Sequence, residues 1–182
     1  YVQWSNMMFS GMPVNYTYMP QAPNIFVKIG RVLGLSNTDN WGLLFLYMIG
    51  FYVLLLSLGC SNWLSVIGAV AYAFCSYNIV IIDAGHISKG MVMSTMAPII
   101  GGVILCYRGK YIWGAIITLL FTGLNIAWAH QQITYYLLLT LVILFVVYLV
   151  YAVREKTMTQ FAKSSAVLVV AALLAIAPSL GS

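Results

Sequence analysis

Residues Ile133–Val153 read ITYYLLLTLVILFVVYLVYAV, without a single charged side chain. An apolar run of about 20 residues is long enough to cross the hydrocarbon layer of a bilayer as a helix. In the whole chain of 182 residues, 63% are hydrophobic and 6% are charged, whereas an ordinary soluble domain has about 25% charged residues. So few charges cannot cover the surface of a soluble fold. The composition therefore predicts a polytopic membrane protein.

Five further apolar runs resemble this one and are separated by short polar breaks. Since the hydrocarbon layer offers no water to backbone groups, each run must form a helix that satisfies its own N–H and C=O groups. We therefore predict an all-α transmembrane helix bundle of about six spans. The spans lie near residues 41–58, 63–82, 91–107, 111–127, 133–153 and 165–177, and together form a domain of residues 41–182.

Basic residues are distributed unequally between the two sets of loops. One set carries Arg108, Lys110, Arg154, Lys156 and Lys163, and the other carries Lys89, with Lys28 and Arg31 upstream. The positive-inside rule places the more basic loops in the cytoplasm. We therefore expect residues 1–40, 83–90 and 128–132 to face outward.

Residues 1–40 differ from the rest of the chain and are predicted to form an extracytoplasmic loop. Between Ile25 and Leu35, apolar residues are spaced around Lys28 and Arg31. This amphipathic pattern predicts a short helix that lies in the membrane interface. The same pattern also fits a helix that packs on the end of the bundle, and the two interpretations are compatible.

The octapeptide DAGHISKG, which begins at Asp83, gathers an acid, an imidazole, a hydroxyl and an ammonium group. A helix that begins near Ile87 would direct free N–H groups and its positive dipole end toward the membrane surface, which favours an anion such as phosphate. His86, Ser88 and Lys89 would surround that anion. Asp83 would act as a general base or help to hold a divalent metal. The structural alternative is a snorkelling Lys89 beside a carboxylate that merely ends its helix.

A second polar group follows the fourth predicted span. Its members are Asn125, Trp128, His130, Gln131, Gln132, Thr134, Tyr135 and Tyr136. Neutral hydrogen-bonding groups beside aromatic faces suit a sugar ring, but Trp and Tyr are equally typical of an interfacial belt. Both interpretations stay open. His86 and His130 lie in loops and lack the spacing typical of zinc or haem ligands.

Three segments carry a family resemblance: WSNMMFSGMP at residues 4–13, AGHISK at residues 84–89 with Pro98 downstream, and HQQ at residues 130–132 before Tyr135. Together they resemble the YfhO family of bacterial membrane proteins, which is grouped with the GT-C type of integral-membrane glycosyltransferases. The resemblance covers nearly the whole chain but only the N-terminal part of a family member. We therefore expect the chain to be a piece of a longer protein.

The resemblance implies a GT-C-like fold and a multi-pass enzyme of the bacterial inner membrane. Such an enzyme transfers a sugar from a polyprenyl-phosphate carrier to an extracytoplasmic acceptor, either a cell-surface glycan or a lipid-linked polymer. The family's catalytic acid usually lies in the first outer loop, and in this chain Asp39 is the only acid within residues 1–40. Asp83, or an acid upstream of Tyr1, is the alternative. A divalent metal is possible as cofactor, and no nucleic-acid partner is expected.

The residues that would bind the substrate are His86, Ser88, Lys89, His130, Gln131, Gln132 and Tyr135. The main alternative function is a transporter or flippase for a lipid-linked or anionic solute, which the proline of the third span, Pro98, would suit. A transporter requires ionisable groups near the bilayer midplane, whereas the charged and imidazole groups here lie at predicted span ends. A structural assembly factor is a third possibility.

Overall fold

The computed structural model describes residues 4–5, 12–13, 25–32, 40–128 and 130–179. Apart from an antiparallel pairing of two-residue strands, β1 (Trp4–Ser5) and β2 (Met12–Pro13), the described structure is helical. The helices are α1 (Ile25–Val32), α2 (Asn40–Leu58), α3 (Asn62–Ala73), α4 (Ser76–Asp83), α5 (Ile87–Tyr107), α6 (Tyr111–Ala127), α7 (Gln131–Arg154) and α8 (Met158–Ile176). A 3-10 turn, Ala177–Ser179, follows α8. The prediction of an all-α fold is confirmed, and the short strand pairing was not predicted.

Within the described residues, four helices are long and apolar enough to cross a membrane, namely α2, α5, α7 and α8 with its following turn. Helices α3 and α4 make a fifth candidate if they form one span, bent by 42°. Helix α6 is apolar but has 17 residues, a length of about 25 Å against a hydrocarbon layer of about 30 Å. The structure therefore supports four to five spans, and the predicted number of six is not confirmed.

Helix α5 is the centre of the bundle. Other parts of the protein bury 72% of the apolar stretch of α5, whereas they bury 11% of that of α7. Helix α5 packs against α2, α4, α6, α7 and α8. Small residues allow this close packing. A Cβ atom added at Gly101 would lie 3.2 Å from the Leu54 Cα atom, and one added at Gly50 would lie 2.9 Å from Cδ of Pro98. Gly50 therefore leaves room for the proline ring, and α5 continues through Pro98 as one helix.

Side chains at one end of the bundle bind the carbonyl groups of helix C-termini. Nη1 of Arg108 donates to the Ser57 carbonyl oxygen at 2.7 Å, and Nη2 donates to that of Leu58 at 3.1 Å. Nε2 of Gln160 in α8 donates to the Tyr107 carbonyl oxygen at 3.1 Å. The ends of α2 and α5 and the beginning of α8 thus meet here, at what we call the Arg108 end. The opposite end, where α5 and α7 begin, is the His86 end.

Four helices end in the same kind of turn. Gly59, Gly85 and Gly109 have φ values of 93°, 75° and 82°, and each follows a helix with the paired hydrogen bonds of a Schellman motif. Lys156 takes the equivalent position after α7 with φ 56°, and the next N–H group, that of Thr157, donates to the Ala152 carbonyl oxygen at 2.9 Å. Lys156 therefore occupies a left-handed conformation that favours glycine.

Replacement of Lys156 by glycine is expected to raise the free energy of unfolding by about 1 kcal/mol, because glycine has no Cβ atom to strain at positive φ. The measurement is unfolding of the purified protein in one detergent by a denaturant series. Lys110→Gly is the matched control, since Lys110 has φ −86° and gains nothing from the loss of its side chain. Equal shifts for the two variants would contradict the prediction.

Helix α1 packs across α6 at the His86 end. Phe26 is 4% exposed and lies over Gly123, where any Cβ atom would overlap its ring. Gly30 faces the Trp128 indole, and a Cβ atom there would lie 3.5 Å from it. Ile25 and Lys28 are exposed. The described helix covers Ile25–Val32, and residues 33–35 of the predicted segment lie outside the described residues. The helix packs on the end of the bundle through one face.

Candidate functional site

The DAGHISKG loop connects α4 to α5 at the His86 end. Asp83 is the last residue of α4, and His86 is the N-cap of α5 with φ −79° and ψ 51°. The predicted helix start near Ile87 is confirmed. The His86 side chain makes no capping hydrogen bond, so the N–H groups of the first turn have no intrahelical acceptor and no side-chain cap. The beginning of α5 therefore provides free donors and the positive end of a helix dipole.

The polar side chains of this loop are mostly exposed. Asp83, His86 and Ser88 are exposed, and Lys89 is half-buried. The ammonium nitrogen of Lys89 lies 5.6 Å from the ring centroid of Tyr77 in α4. An aromatic face attracts a cation at this distance, so Tyr77 helps to hold the ammonium group against α4. Sequence reasoning missed Tyr77, because the sequence does not show which face of α4 turns toward α5.

A buried polar network connects α5, α6 and α7 near the same end. At its centre is Asn125, which is 2% exposed. Its Nδ2 donates to Oγ1 of Thr95 at 2.8 Å, and its Oδ1 accepts from Oγ1 of Thr134 at 2.8 Å. Thr95 in turn donates to the Val92 carbonyl oxygen at 2.7 Å. Asn125 and Thr134 were predicted as members of an outer polar group, and the structure places Asn125 in the interior instead.

The beginning of α7 presents the other predicted residues of the second group. His130 is the N-cap of α7, and its Nδ1 is buried without a hydrogen-bond partner among the described residues. Gln131 is exposed. Nε2 of Gln132 donates to the Tyr136 hydroxyl at 2.9 Å, and the ring of Tyr135 lies 6.2 Å from that of Tyr136. These side chains form an exposed surface of amide and aromatic groups.

The two groups lie on different helix pairs of the His86 end. The first group, which we call the Lys89 group, lies between α4 and α5 and consists of Asp83, His86, Ser88 and Lys89. The second, the His130 group, lies where α6 is followed by α7 and consists of His130, Gln131, Gln132 and Tyr135. Between them, Trp128 packs against the hydrophobic cluster around Phe26 and Leu124 and against the one around Tyr47 and Met91. Asp39, the other candidate acid, lies outside the described residues.

Candidate metal ligands are few among the described residues. Across the segments that the structure describes, no three His, Cys, Asp or Glu side chains are grouped so as to hold a metal ion. In the loop itself, Asp83 and His86 are the two side chains of the usual metal-ligand types. A divalent ion bound there would need oxygen atoms of a substrate phosphate as its further ligands.

Comparison with known proteins identifies no relative of this chain. No family model matches the chain, no curated protein matches it, and no solved structure matches it. The resemblance to the YfhO family therefore stays a prediction from three short segments, and the site is interpreted from its own geometry.

Proposed function

We propose that the protein is a membrane glycosyltransferase of the GT-C type, which transfers a sugar from a polyprenyl-phosphate carrier to an extracytoplasmic glycan or lipid-linked polymer. One observation carries the proposal: the uncapped beginning of α5 carries the half-buried Lys89 together with the exposed His86 and Ser88. Free helix N–H groups and a lysine together bind phosphate well. The proposal includes an inner-membrane location with the His86 end outside.

The chemistry follows from the charges of this loop. The bond between the sugar C1 atom and the carrier phosphate oxygen breaks, and the acceptor oxygen bonds to C1 from the opposite face. Lys89 and His86 stabilise the negative charge that develops on the leaving phosphate. Asp83 takes the proton from the acceptor hydroxyl group. The exposed amide and aromatic groups of Gln131, Gln132 and Tyr135 supply hydrogen bonds and an apolar face to the sugar.

The position of the charged groups supports chemistry at the membrane surface. In α2, α5, α6, α7 and α8, every Asp, Glu, Lys, Arg and His residue lies in the first or last two turns of its helix. The phosphate of a lipid carrier lies in the headgroup layer, at the depth of these helix ends. A transporter would instead place ionisable groups toward the midplane.

One observation favours the transporter or flippase as a second candidate. Helices α3 and α4 meet at a 42° bend, and discontinuous spans form the binding sites of many transporters through their free carbonyl groups. In this bend, Asn78 is buried and its Nδ2 donates to the Tyr72 carbonyl oxygen at 2.8 Å. The protein itself thus satisfies that carbonyl group, which supports a structural bend over an ion site.

The Lys89→Ala variant of the full-length protein tests the proposal. Loss of one group that stabilises the leaving phosphate is expected to lower the rate of sugar transfer about a hundredfold. The measurement is the release of polyprenyl phosphate and the formation of glycosylated acceptor in vesicles, with unfolding curves to confirm that the variant folds. Lys156→Ala, at the Arg108 end, is the matched control and should turn over normally. If the Lys89→Ala variant transferred sugar at the wild-type rate, the role of Lys89 would be refuted. Movement of the donor lipid across the vesicle membrane without glycosylated product would favour the flippase.

A further inference from the structure

An apolar groove of about 550 Å³ runs between α6 and α8 on the outside of the bundle. Its walls include Ala115 and Leu119 of α6 and Ala166, Val170 and Leu174 of α8. The volume lies in the range of ligand pockets in proteins. All of its lining side chains are apolar, so its occupant must present hydrocarbon to it.

The groove has a cation at its Arg108 end. Lys163 lies three residues before Ala166, in the preceding turn of α8, and its side chain is exposed. The Lys163 ammonium nitrogen lies 5.8 Å from the ring centroid of Tyr111, which begins α6. The contact fixes the ammonium group between the two helices that form the groove.

The charge around this end is positive and weakly compensated. Arg108, Lys110, Arg154 and Lys156 also lie at the Arg108 end, and Glu155 is the single acidic residue there among the residues that the structure describes. Glu155 lies between Arg154 and Lys156 in sequence and is not among the residues that line the groove. The end of the groove therefore attracts an anion.

The groove is short enough to lie within one leaflet. Its lining on α8 runs from Ala166 to Leu174 and rises about 12 Å at 1.5 Å per residue. Half of the hydrocarbon layer is about 15 Å thick. An acyl chain with an anionic headgroup on Lys163 would therefore fill the groove to its inner end, whereas a helix of another protein would extend across the whole layer.

We propose that this groove binds one anionic phospholipid from the leaflet at the Arg108 end. Its acyl chain lies against Ala166 and Val170, and its headgroup phosphate binds the Lys163 ammonium group. The site is separate from the sugar-transfer chemistry at the His86 end and does not depend on it. A bound lipid would cover the seam between α6 and α8.

The test of headgroup recognition is native mass spectrometry of the purified chain in detergent. Phosphatidylglycerol and phosphatidylcholine with identical acyl chains are the probes. Phosphatidylglycerol should be retained more strongly by the wild type, and Lys163→Gln should weaken its binding about fivefold, the effect of one lysine at a membrane surface. Lys156→Gln removes the same charge from the α7–α8 loop, outside the groove lining, and should weaken binding less than Lys163→Gln does.

The test of the groove adds a phenylalanine ring to its wall. Ala166→Phe fills the groove and should displace the phospholipid, whereas Val169→Phe adds a ring on a 58% exposed residue that does not line it and should bind lipid normally. The proposal is overturned if the wild type retains the two lipids equally, if Lys163→Gln binds like wild type, or if the two phenylalanine variants retain lipid alike. Because Lys163 is exposed, its variant decides the matter even if Ala166→Phe fails to fold.

Discussion

Replacement of Gly114 by alanine is expected to force α6 away from α5 and to lower the free energy of unfolding by about 2–3 kcal/mol. A Cβ atom on Gly114 would lie 2.6 Å from the Gly102 carbonyl oxygen and 2.8 Å from the Cys106 backbone nitrogen. These are backbone atoms, which cannot rotate away as a flexible side chain can. The whole of α6 must therefore move, and α5 loses close contacts along its length.

Denaturant unfolding of the purified protein in one detergent measures this effect. Gly30→Ala is the matched control, because a Cβ atom on this helix glycine would meet only side-chain atoms at ordinary contact distances, the nearest at 3.5 Å. The control should be as stable as the wild type or slightly more so, since alanine favours helix over glycine. A Gly114→Ala protein as stable as Gly30→Ala would show that α5 and α6 do not approach so closely.

Replacement of Asn125 by alanine is expected to lower the free energy of unfolding by about 1–3 kcal/mol, because the hydrogen bonds of its amide to α5 and α7 are lost. The Asn125 amide bonds Thr95 of α5 and Thr134 of α7. In the variant, both hydroxyl groups lose their partner on α6 and a cavity replaces the amide. We therefore expect α7, which buries little else, to become the most readily detached helix, a change that hydrogen exchange can measure.

A pair of threonines on α7 provides the control. Thr134 bonds Asn125 of α6 in addition to the His130 carbonyl oxygen at the beginning of its own helix, whereas Oγ1 of Thr140 donates to the Tyr136 carbonyl oxygen within α7 at 3.0 Å. Thr134→Val should destabilise the protein by about 1 kcal/mol, and Thr140→Val should be nearly neutral. In the double variant of Asn125→Ala and Thr134→Val the losses should not add, because one bond is shared. Equal losses for the two threonines would contradict the network.

The helix boundaries were predictable where a tight turn bounds an apolar run. The predicted spans 41–58 and 111–127 agree with α2 and α6 at their ends. The last span was predicted from residue 165, but α8 begins at Met158. Gln160 and Ser164 lie in its first two turns and donate to the carbonyl oxygens of Tyr107 and Cys106. Hydropathy assigns these polar residues to a loop, whereas in the folded chain they bind the end of α5.

The bend between α3 and α4 was not predictable from local sequence. The predicted span 63–82 contains no proline, and Phe74 and Cys75, where the helix is interrupted, carry no turn signal. The contact that stabilises the bend is the bond from Asn78 to the Tyr72 carbonyl oxygen. An asparagine in an apolar run predicts a polar contact, but it does not predict that the contact is made with its own interrupted helix.

The candidate site was predictable to the extent that its residues are adjacent in the chain. Asp83, His86, Ser88 and Lys89 lie together because one short loop carries them. Tyr77 joins this loop through its contact with Lys89, and Thr95 joins the second polar group through its bond with Asn125. Both contacts are made between the faces of neighbouring helices. Those contacts depend on the rotation of each helix about its axis. A helix that is hydrophobic on every side does not show in its sequence which face packs against its neighbour.

The contact of Arg108 with the end of α2 has a consequence for synthesis. The Ser57 carbonyl group and its partner are 51 residues apart. At a ribosomal rate of 5–20 residues per second, about 3–10 seconds pass between the emergence of the two. During that interval the last turn of α2 lacks its guanidinium partner, and for most of it α2 also lacks Pro98, against which Gly50 packs. Completion of the early spans therefore waits for a later part of the chain, and a ribosome stalled before Arg108 would leave the end of α2 without this partner.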